Sequence, residues 1–176
     1  MHKAASVLTV EDNPITRTEL RLVLEDAGFD VVADARDGAE AIELTREHRP
    51  DLVLLDLGLP GVDGIEATRQ ILAERRVPIV AVTGRSRELA ERALEAGATS
   101  YLLKPFATSQ VVEAVSGALV EHWERANREL RAESVRSLER LLGLMGYPTE
   151  WAIDLERRAW ERGEAWRTAT EWERPA

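Results

Sequence analysis

The chain has 176 residues, of which 44% are hydrophobic and 31% charged, so it has enough apolar material for a packed core. The absence of cysteine excludes a disulfide framework, a thiolate metal site and a cysteine nucleophile, and a net charge of −9 argues against bulk electrostatic binding to nucleic acid. No apolar run reaches the roughly 20 residues of a membrane span and no signal-peptide layout is present, so we expect a cytoplasmic protein without membrane contact.

The composition changes near residue 120. All five tryptophans follow this point, whereas most of the acidic excess precedes it. We therefore expect one domain over residues 1–120 and a separate extension over residues 121–176.

Short apolar runs alternate with helically spaced segments in the first region. Helical patterns stop at glycine or proline, as before Gly28 and Pro50. Strand–helix alternation is typical of parallel strands joined by crossover helices, and runs that are apolar throughout indicate central strands. The sequence therefore predicts an α/β, doubly wound, five-stranded parallel sheet. Its strands are expected at 6–10, 30–33, 52–55, 78–82 and 100–103.

The helical pattern continues well beyond this sheet. No proline occurs between Pro105 and Pro148, and opposite charges stand at i,i+4 spacing along this stretch. The sequence predicts an all-α extension: one long helix, or two in close succession, then a break at 146–149 and a shorter helix from Trp151. Residues 167–176 are expected to be frayed or weakly helical. The apolar stripe comprises Val111, Val112, Val115, Leu119, Trp123, Ala126, Leu130, Leu138, Leu141 and Met145.

Polar side chains close the predicted strands at one edge of the sheet. Glu11 and Asp12 follow the first strand, and Asp56 follows the third. Thr83 and Lys104 follow the fourth and fifth. The carboxyl ends of parallel strands meet, so these groups should converge. Crowded carboxylates favour a hard divalent cation, usually Mg²⁺, and a nearby ammonium and hydroxyl suit a phosphoryl group.

Residues 1–120 resemble the receiver domain of bacterial two-component response regulators. The matching motifs are Glu11-Asp12, the segment LVLLDLGLPGVDG at 52–64, Val82-Thr83-Gly84, and the segment YLLKPF at 101–106. Because these motifs occur in the right order at the right strand ends, the signal is specific. It covers about two thirds of the chain and none of the extension.

The resemblance implies a flavodoxin-like fold and a signal-transduction role for the pocket. Asp56 would accept a phosphoryl group from a sensor histidine kinase or phosphotransfer protein, as in a phosphorelay. Glu11, Asp12, Asp56 and the main-chain carbonyl of Gly58 would bind Mg²⁺, and Lys104 would pair with the phosphoryl oxygens. The protein would be a phosphoprotein that catalyses its own phosphotransfer and dephosphorylation, and not otherwise an enzyme.

The resemblance also implies a conformational switch. Thr83 would move to donate a hydrogen bond to the phosphoryl group, and Tyr101 would turn inward with it. The peptide bond between Lys104 and Pro105 would be cis. The altered surface would be formed by the fourth helix, fifth strand and fifth helix. For Tyr101 an ordinary half-buried strand tyrosine is the alternative interpretation.

Two other enzyme classes fit the pattern poorly. A phosphatase of the haloacid-dehalogenase type needs a second aspartate two residues after its nucleophile, where this chain has Gly58. A dinucleotide-binding enzyme needs glycines after the first strand, where this chain has Glu11-Asp12-Asn13.

The output of the extension has two interpretations. Mixed-charge helices with a tryptophan and leucine stripe favour a surface for a homodimer or a downstream protein target. The alternative is a nucleic-acid-binding regulator of transcription or antitermination that acts through the extension. Nucleic acid is the less favoured partner, because the extension is not basic and the signature of antiterminator tails is absent from residues 141–146.

Overall fold

The computed structural model describes residues 4–84, 86–145 and 148–161, with side-chain surroundings through residue 157 in the last helix. The chain forms two compact units, Met1–His122 and Trp123–Ala176. The expected frayed end at 167–176 lies outside the described residues, as do Gly146, Tyr147 and the side chains of Trp160, Trp166 and Trp172.

The first unit contains a sheet in which every pairing is parallel, in the order β2-β1-β3-β4-β5. The predicted α/β doubly wound architecture is confirmed. β2 extends to Ala35, beyond its predicted end, and β4 begins at Ile79 and includes Thr83. The elements in order are β1 (Ser6–Val10), α1 (Pro14–Asp26), β2 (Asp30–Ala35), α2 (Gly38–His48), β3 (Leu52–Asp56), α3 (Gly64–Glu74), β4 (Ile79–Thr83), α4 (Arg87–Glu95), β5 (Ser100–Leu103) and α5 (Thr108–Met145).

Two apolar clusters cover the two faces of the sheet. Every residue of β1, β3 and β4 is buried, as central parallel strands require. One cluster packs the sheet against α2, α3 and α4 and includes Leu55, Ile65 and Ile71. The other packs it against α1 and α5 and includes Leu24 and Val115. The sheet is thus fixed from both sides, and the ends of its strands are held in place.

Local sequence signals set where the helices begin and end. Asn13 accepts hydrogen bonds from the amides of Ile15 and Thr16, and Pro14 occupies the first helical turn of α1. Asp37, Asp63 and Ser86 cap α2, α3 and α4 in the same way. After α1, Gly28 takes a φ of +89°, which favours glycine and accounts for the predicted stop.

The second unit is helical. α5 runs without interruption to Met145, and α6 follows at Trp151–Glu161, which confirms the helical extension. Ala152 and Glu156 of α6 are buried, and the Glu156 carboxylate accepts two hydrogen bonds from the Arg131 guanidinium of α5. Among the described residues, no helix has the length and apolar character required to cross a membrane.

Candidate functional site

Residues from three strands converge at the carboxyl edge of the sheet. Asp56 is the last residue of β3. Glu11 directly follows β1, which is the strand next to β3 in the sheet. Lys104 directly follows β5, and its amide donates to the carbonyl of Thr83 over 2.8 Å. The structure thus brings together the carboxylates and the ammonium that the strand-end pattern predicts. We call Glu11, Asp12, Asp56 and Lys104 the acidic pocket.

The Lys104 ammonium bridges two carboxylates of the acidic pocket. Its Nζ atom lies 2.6 Å from Oδ2 of Asp56 and 2.6 Å from Oε2 of Glu11. Both carboxylates are nearly inaccessible, with 7% of Asp56 and 2% of Glu11 exposed. Buried carboxylates require such a partner because desolvation penalises an unpaired charge.

The acidic pocket carries more negative than positive charge. Carboxylate oxygens of Glu11, Asp12 and Asp56 lie within 4.8 Å of one another, and Asp12 is exposed. Burial raises the pKa of Glu11. The hydrogen bond from Lys104 lowers this pKa and the nearby Asp56 charge raises it, so that the pKa is raised overall. Burial by itself lowers the pKa of Lys104, but its two carboxylate partners outweigh burial and raise it. The three carboxylates together offer the ligands of a metal site, beside the Lys104 ammonium.

The loop between β1 and α1 is held by a residue that the sequence pattern did not indicate. Nη1 of Arg17 donates to the carbonyl of Glu11 over 2.6 Å and, at 3.4 Å, to that of Asp12. The Asn13 amide donates to Oε1 of Glu11 over 3.2 Å. These bonds fix the backbone of both residues and the carboxylate of Glu11. No periodicity or motif in the sequence marks Arg17, because its partners are main-chain atoms.

Two glycines lie against Asp56. The amide of Gly58 donates to Oδ1 of Asp56 over 2.8 Å. A Cβ atom at Gly64, the first residue of α3, would lie 2.8 Å from the Asp56 carbonyl oxygen and 2.7 Å from Cα of Leu57. Only glycine allows α3 to approach the end of β3 this closely.

The two predicted switch residues lie on β4, which pairs with the strand of Asp56, and on β5, which pairs with β4. Thr83, at the end of β4, is 1% exposed, and the register pairs Asp56 with its neighbour Val82. Tyr101 lies on β5, is half-buried and packs against the apolar cluster of α2, α3 and α4. The peptide bond between Lys104 and Pro105 is cis, as the resemblance implies.

Comparison with known proteins agrees with this geometry. PdtaR of Mycobacterium tuberculosis, described as a transcriptional regulatory protein, is 40% identical over 147 residues, which cover 79% of this chain and 72% of PdtaR. The chemotaxis protein CheY of Bacillus subtilis is 37% identical over 119 residues, which cover 66% of this chain and 98% of CheY.

A solved structure shares the fold of the first unit. In the crystal structure of the CheX-CheY-BeF3-Mg²⁺ complex from Borrelia burgdorferi, the matching chain is 26% identical with a TM-score of 0.62. The match covers 64% of this chain and 87% of that one. The sequence pattern of the response regulator receiver domain matches residues 7–116. This chain therefore belongs to the response regulator receiver domain family.

Proposed function

We propose that this protein is a two-component response regulator whose Asp56 accepts a phosphoryl group from a histidine kinase or a phosphotransfer protein. The observation that supports this most is the Lys104 ammonium, held 2.6 Å from Asp56 at the carboxyl edge of the sheet. An oxygen of Asp56 attacks the phosphorus atom, the bond from phosphorus to the donor imidazole breaks, and an acyl phosphate forms. Lys104 stays beside the transferred oxygens and offsets their charge.

The acidic pocket has the donor set of a magnesium site. Glu11, Asp12, Asp56 and the carbonyl of Gly58 would hold the ion. The three carboxylates exceed the single ammonium of Lys104 by two charges, which a divalent cation would balance. When bound, Mg²⁺ offsets negative charge on the transferring phosphoryl group. Hydrolysis of the acyl phosphate would restore Asp56. In this proposal, the protein catalyses only its own phosphorylation and dephosphorylation.

The surface of α4, β5 and α5 is the proposed switch surface. Each of these elements has an exposed apolar side chain: Leu94 at 40%, Leu103 at 44% and Val120 at 51% exposure. Thr83 connects the acidic pocket with this surface, because Thr83 of β4 pairs with Leu103 of β5 in the sheet register. Movement of Thr83 toward a phosphoryl group would shift the population of conformations at the α4, β5 and α5 surface.

The second unit is the proposed output region, which binds a downstream protein or a second copy of the chain. Its described residues include several large apolar side chains that are at least half exposed, and a protein partner that covers them would remove their apolar area from water. These are Trp123, Leu130, Leu144, Met145, Trp151 and Ile153.

Intact mass spectrometry with acetyl phosphate and Mg²⁺ tests the phosphoacceptor. We expect the mass to increase by one phosphoryl group, and Asp56→Asn to abolish the increase. Asp26→Asn, an exposed aspartate at the end of α1, is the matched control and should be phosphorylated normally. An unmodified wild-type chain, or phosphorylation that persists in Asp56→Asn, would refute the proposal.

Tryptophan emission tests whether the output region responds. Every tryptophan lies beyond residue 120, so this signal reports on the extension and not on the acidic pocket. Addition of Mg²⁺ and beryllofluoride should shift the emission of the wild-type chain but not that of Asp56→Asn. If mass spectrometry shows that the chain is phosphorylated and the emission spectrum is nevertheless unchanged, the extension does not respond to the state of the acidic pocket.

A second candidate function is regulation of transcription through nucleic-acid binding by the extension. The observation that favours it is the length of the similarity to PdtaR, which covers 79% of this chain and so continues past the receiver match that ends at residue 116. A mobility-shift assay with random RNA and DNA pools, with and without acetyl phosphate, tests it. Phosphorylation-dependent retention of one pool would favour this function over protein binding.

A further inference from the structure

We propose that the first unit contains a second site, which binds a small organic oxyanion between the C-terminal ends of α2 and α3. A cavity of about 330 Å³ lies there, lined by residues of both helices. It is distinct from the acidic pocket, which lies at the carboxyl edge of the sheet, near the N-terminal ends of these helices. We call it the α2–α3 cavity.

Three arginines line the α2–α3 cavity: Arg46, Arg49 and Arg75. Arg49 and Arg75 are the residues that cap the C-terminal ends of α2 and α3. Within the described part of the chain, neither side chain takes part in an ion pair or a hydrogen bond. Pairs of guanidinium groups bind carboxylates and phosphates with directed hydrogen bonds.

A third arginine of the cavity already has a partner. Arg46 donates to both oxygens of Glu74 over 2.9 and 2.6 Å, across the gap between α2 and α3. This pair neutralises itself, so the two unpaired arginines leave the α2–α3 cavity with a net positive charge. An anion is the ligand that complements it.

Two residues that line the α2–α3 cavity have buried polar atoms without hydrogen-bond partners among the residues that the structure describes. Only 4% of Thr45 is exposed, and its Oγ1 makes no hydrogen bond to any residue that the structure describes. Nη1 of Arg75 is likewise buried and without a partner. Favourable interactions at helix C-termini account for arginines at these positions, but not for an enclosed hydroxyl and an enclosed guanidinium N–H that make no bond. Each of these donors would gain a partner by donating to an oxyanion in the α2–α3 cavity.

The remaining walls of the α2–α3 cavity are apolar. Ile42 of α2 and Ile71 of α3 line it together with the polar groups. A ligand with a short apolar chain and one anionic end therefore fits better than an inorganic ion. The proposed ligand class is a small organic carboxylate or phosphate ester.

Binding can be measured on the full chain by amide chemical shifts in NMR titrations. The probes are butyrate, acetate and inorganic phosphate, each compared with chloride at equal ionic strength and without Mg²⁺. We expect saturable shifts at the ends of α2 and α3, with butyrate tighter than acetate by roughly fourfold for each added methylene that is buried. Preferential binding of phosphate over both carboxylates would assign the site to phosphate esters.

Variants separate this site from general salt effects. Arg75→Gln and Arg49→Gln should each weaken binding by about tenfold, the effect of losing one charged hydrogen bond. Arg69→Gln, at an exposed position of the same helix α3, is the control and should bind as the wild type does. Thr45→Val should weaken binding, yet raise the melting temperature of the anion-free protein, because it removes a buried hydroxyl that has no partner.

Three results would overturn the proposal. Shifts confined to the surroundings of Asp56 and Lys104 would place the anion in the acidic pocket. Equal affinity in the wild type, Arg75→Gln and Arg49→Gln would indicate non-specific association. The absence of any saturable shift would mean that water alone fills the α2–α3 cavity.

Discussion

The ammonium of Lys104 lies 2.6 Å from the carboxylate of Asp56, although 48 positions separate the two residues in the sequence. The same ammonium binds Glu11, so a single cation joins the carboxyl ends of β1, β3 and β5. A divalent ion in the acidic pocket would interact with the same carboxylates. Lys104 therefore opposes metal binding electrostatically, even though it favours the phosphoryl group.

Removing the charge of Lys104 should tighten Mg²⁺ binding. We expect Lys104→Met to raise the affinity by an order of magnitude or so, because one positive charge next to the binding carboxylates is lost. Isothermal titration calorimetry is the suitable measurement, since no tryptophan precedes residue 120 to report on the pocket. Lys104→Arg keeps the charge and should bind Mg²⁺ much as the wild type does. Weaker binding by Lys104→Met would show that the lysine organises the site instead.

Arg17 should rigidify the loop that carries Glu11 and Asp12. In Arg17→Ala the carbonyls of both residues lose the guanidinium donor, and the amides of Asp12 and Asn13 should exchange with solvent deuterium faster. Hydrogen exchange followed by NMR measures this directly. Glu19→Ala, at an exposed position of the same helix α1, should leave the exchange of these amides unchanged. Equal exchange in Arg17→Ala and the wild type would show that the loop is held by its other bonds.

Two glycine-to-alanine substitutions should have opposite effects on stability. Gly64→Ala places a Cβ atom 2.7 Å from Cα of Leu57, so the backbone must shift at a cost of about 1–3 kcal/mol. Gly117→Ala lies at an exposed position in α5, where the new Cβ meets no described group within 4 Å apart from its chain neighbours and the backbone of its own helix, and should stabilise the protein by about 0.5–1 kcal/mol. Urea denaturation gives both values. Equal effects of the two changes would contradict the close approach at Gly64.

The contact between Glu40 and Arg36 should make stability depend on pH. The hydrogen bond from the Arg36 side chain, and then that from its amide, lower the pKa of Glu40. A carboxyl group whose pKa is lower in the folded state stabilises the protein above its unfolded-state pKa, and this contribution is lost as the pH falls through the folded-state value. Glu40→Gln should thus be less stable than the wild type at pH 7, and the difference should shrink in acid. Urea denaturation from pH 7 into the acid range measures the difference in the free energy of unfolding between the two proteins. A difference that grows in acid would contradict the lowered pKa of Glu40.

The pair of Arg131 and Glu156 should hold α6 in place. Glu156 is 6% exposed, so Arg131→Ala leaves a buried carboxylate without its partner, and α6 should lose protection in hydrogen exchange. Arg157→Ala is the control, because Arg157 pairs with Asp154 within α6 and the Arg157 side chain is 61% exposed. Retained protection of residues 151–157 in Arg131→Ala would show that apolar packing alone holds the helix.

Much of the first unit is predictable from the sequence because its signals are local. The apolar run at 52–55 gave β3, and the stretch without proline after Pro105 gave the uninterrupted α5. The convergence of Glu11, Asp56 and Lys104 followed from the geometry of parallel strands, without any knowledge of side-chain contacts. Their chemical roles stay predictions, for which the phosphorylation and metal-binding experiments are the tests.

Features that depend on tertiary contacts were not predictable in this way. β2 extends past its predicted end through Asp34, a polar residue that accepts hydrogen bonds from Thr9 and Arg21 and so stays in the sheet. In the second unit, the apolar spacing places Leu130 in a stripe expected to pack against another surface, yet Leu130 is 61% exposed. The charged Glu156, by contrast, is buried. Hydrophobic spacing cannot indicate that an arginine on another helix makes burial of a carboxylate possible.

The pairing of Lys104 with two carboxylates has a practical consequence for chemical modification. The chain contains only one other lysine, Lys3. Beyond the first residues of the chain, acylating reagents and amine-directed cross-linkers therefore have a single lysine to modify, and it lies at the acidic pocket. An acyl group on its Nζ atom would abolish the charge that offsets Glu11 and Asp56. The rate at which Lys104 is acylated thus measures, at a single site, how accessible its ammonium is to a reagent.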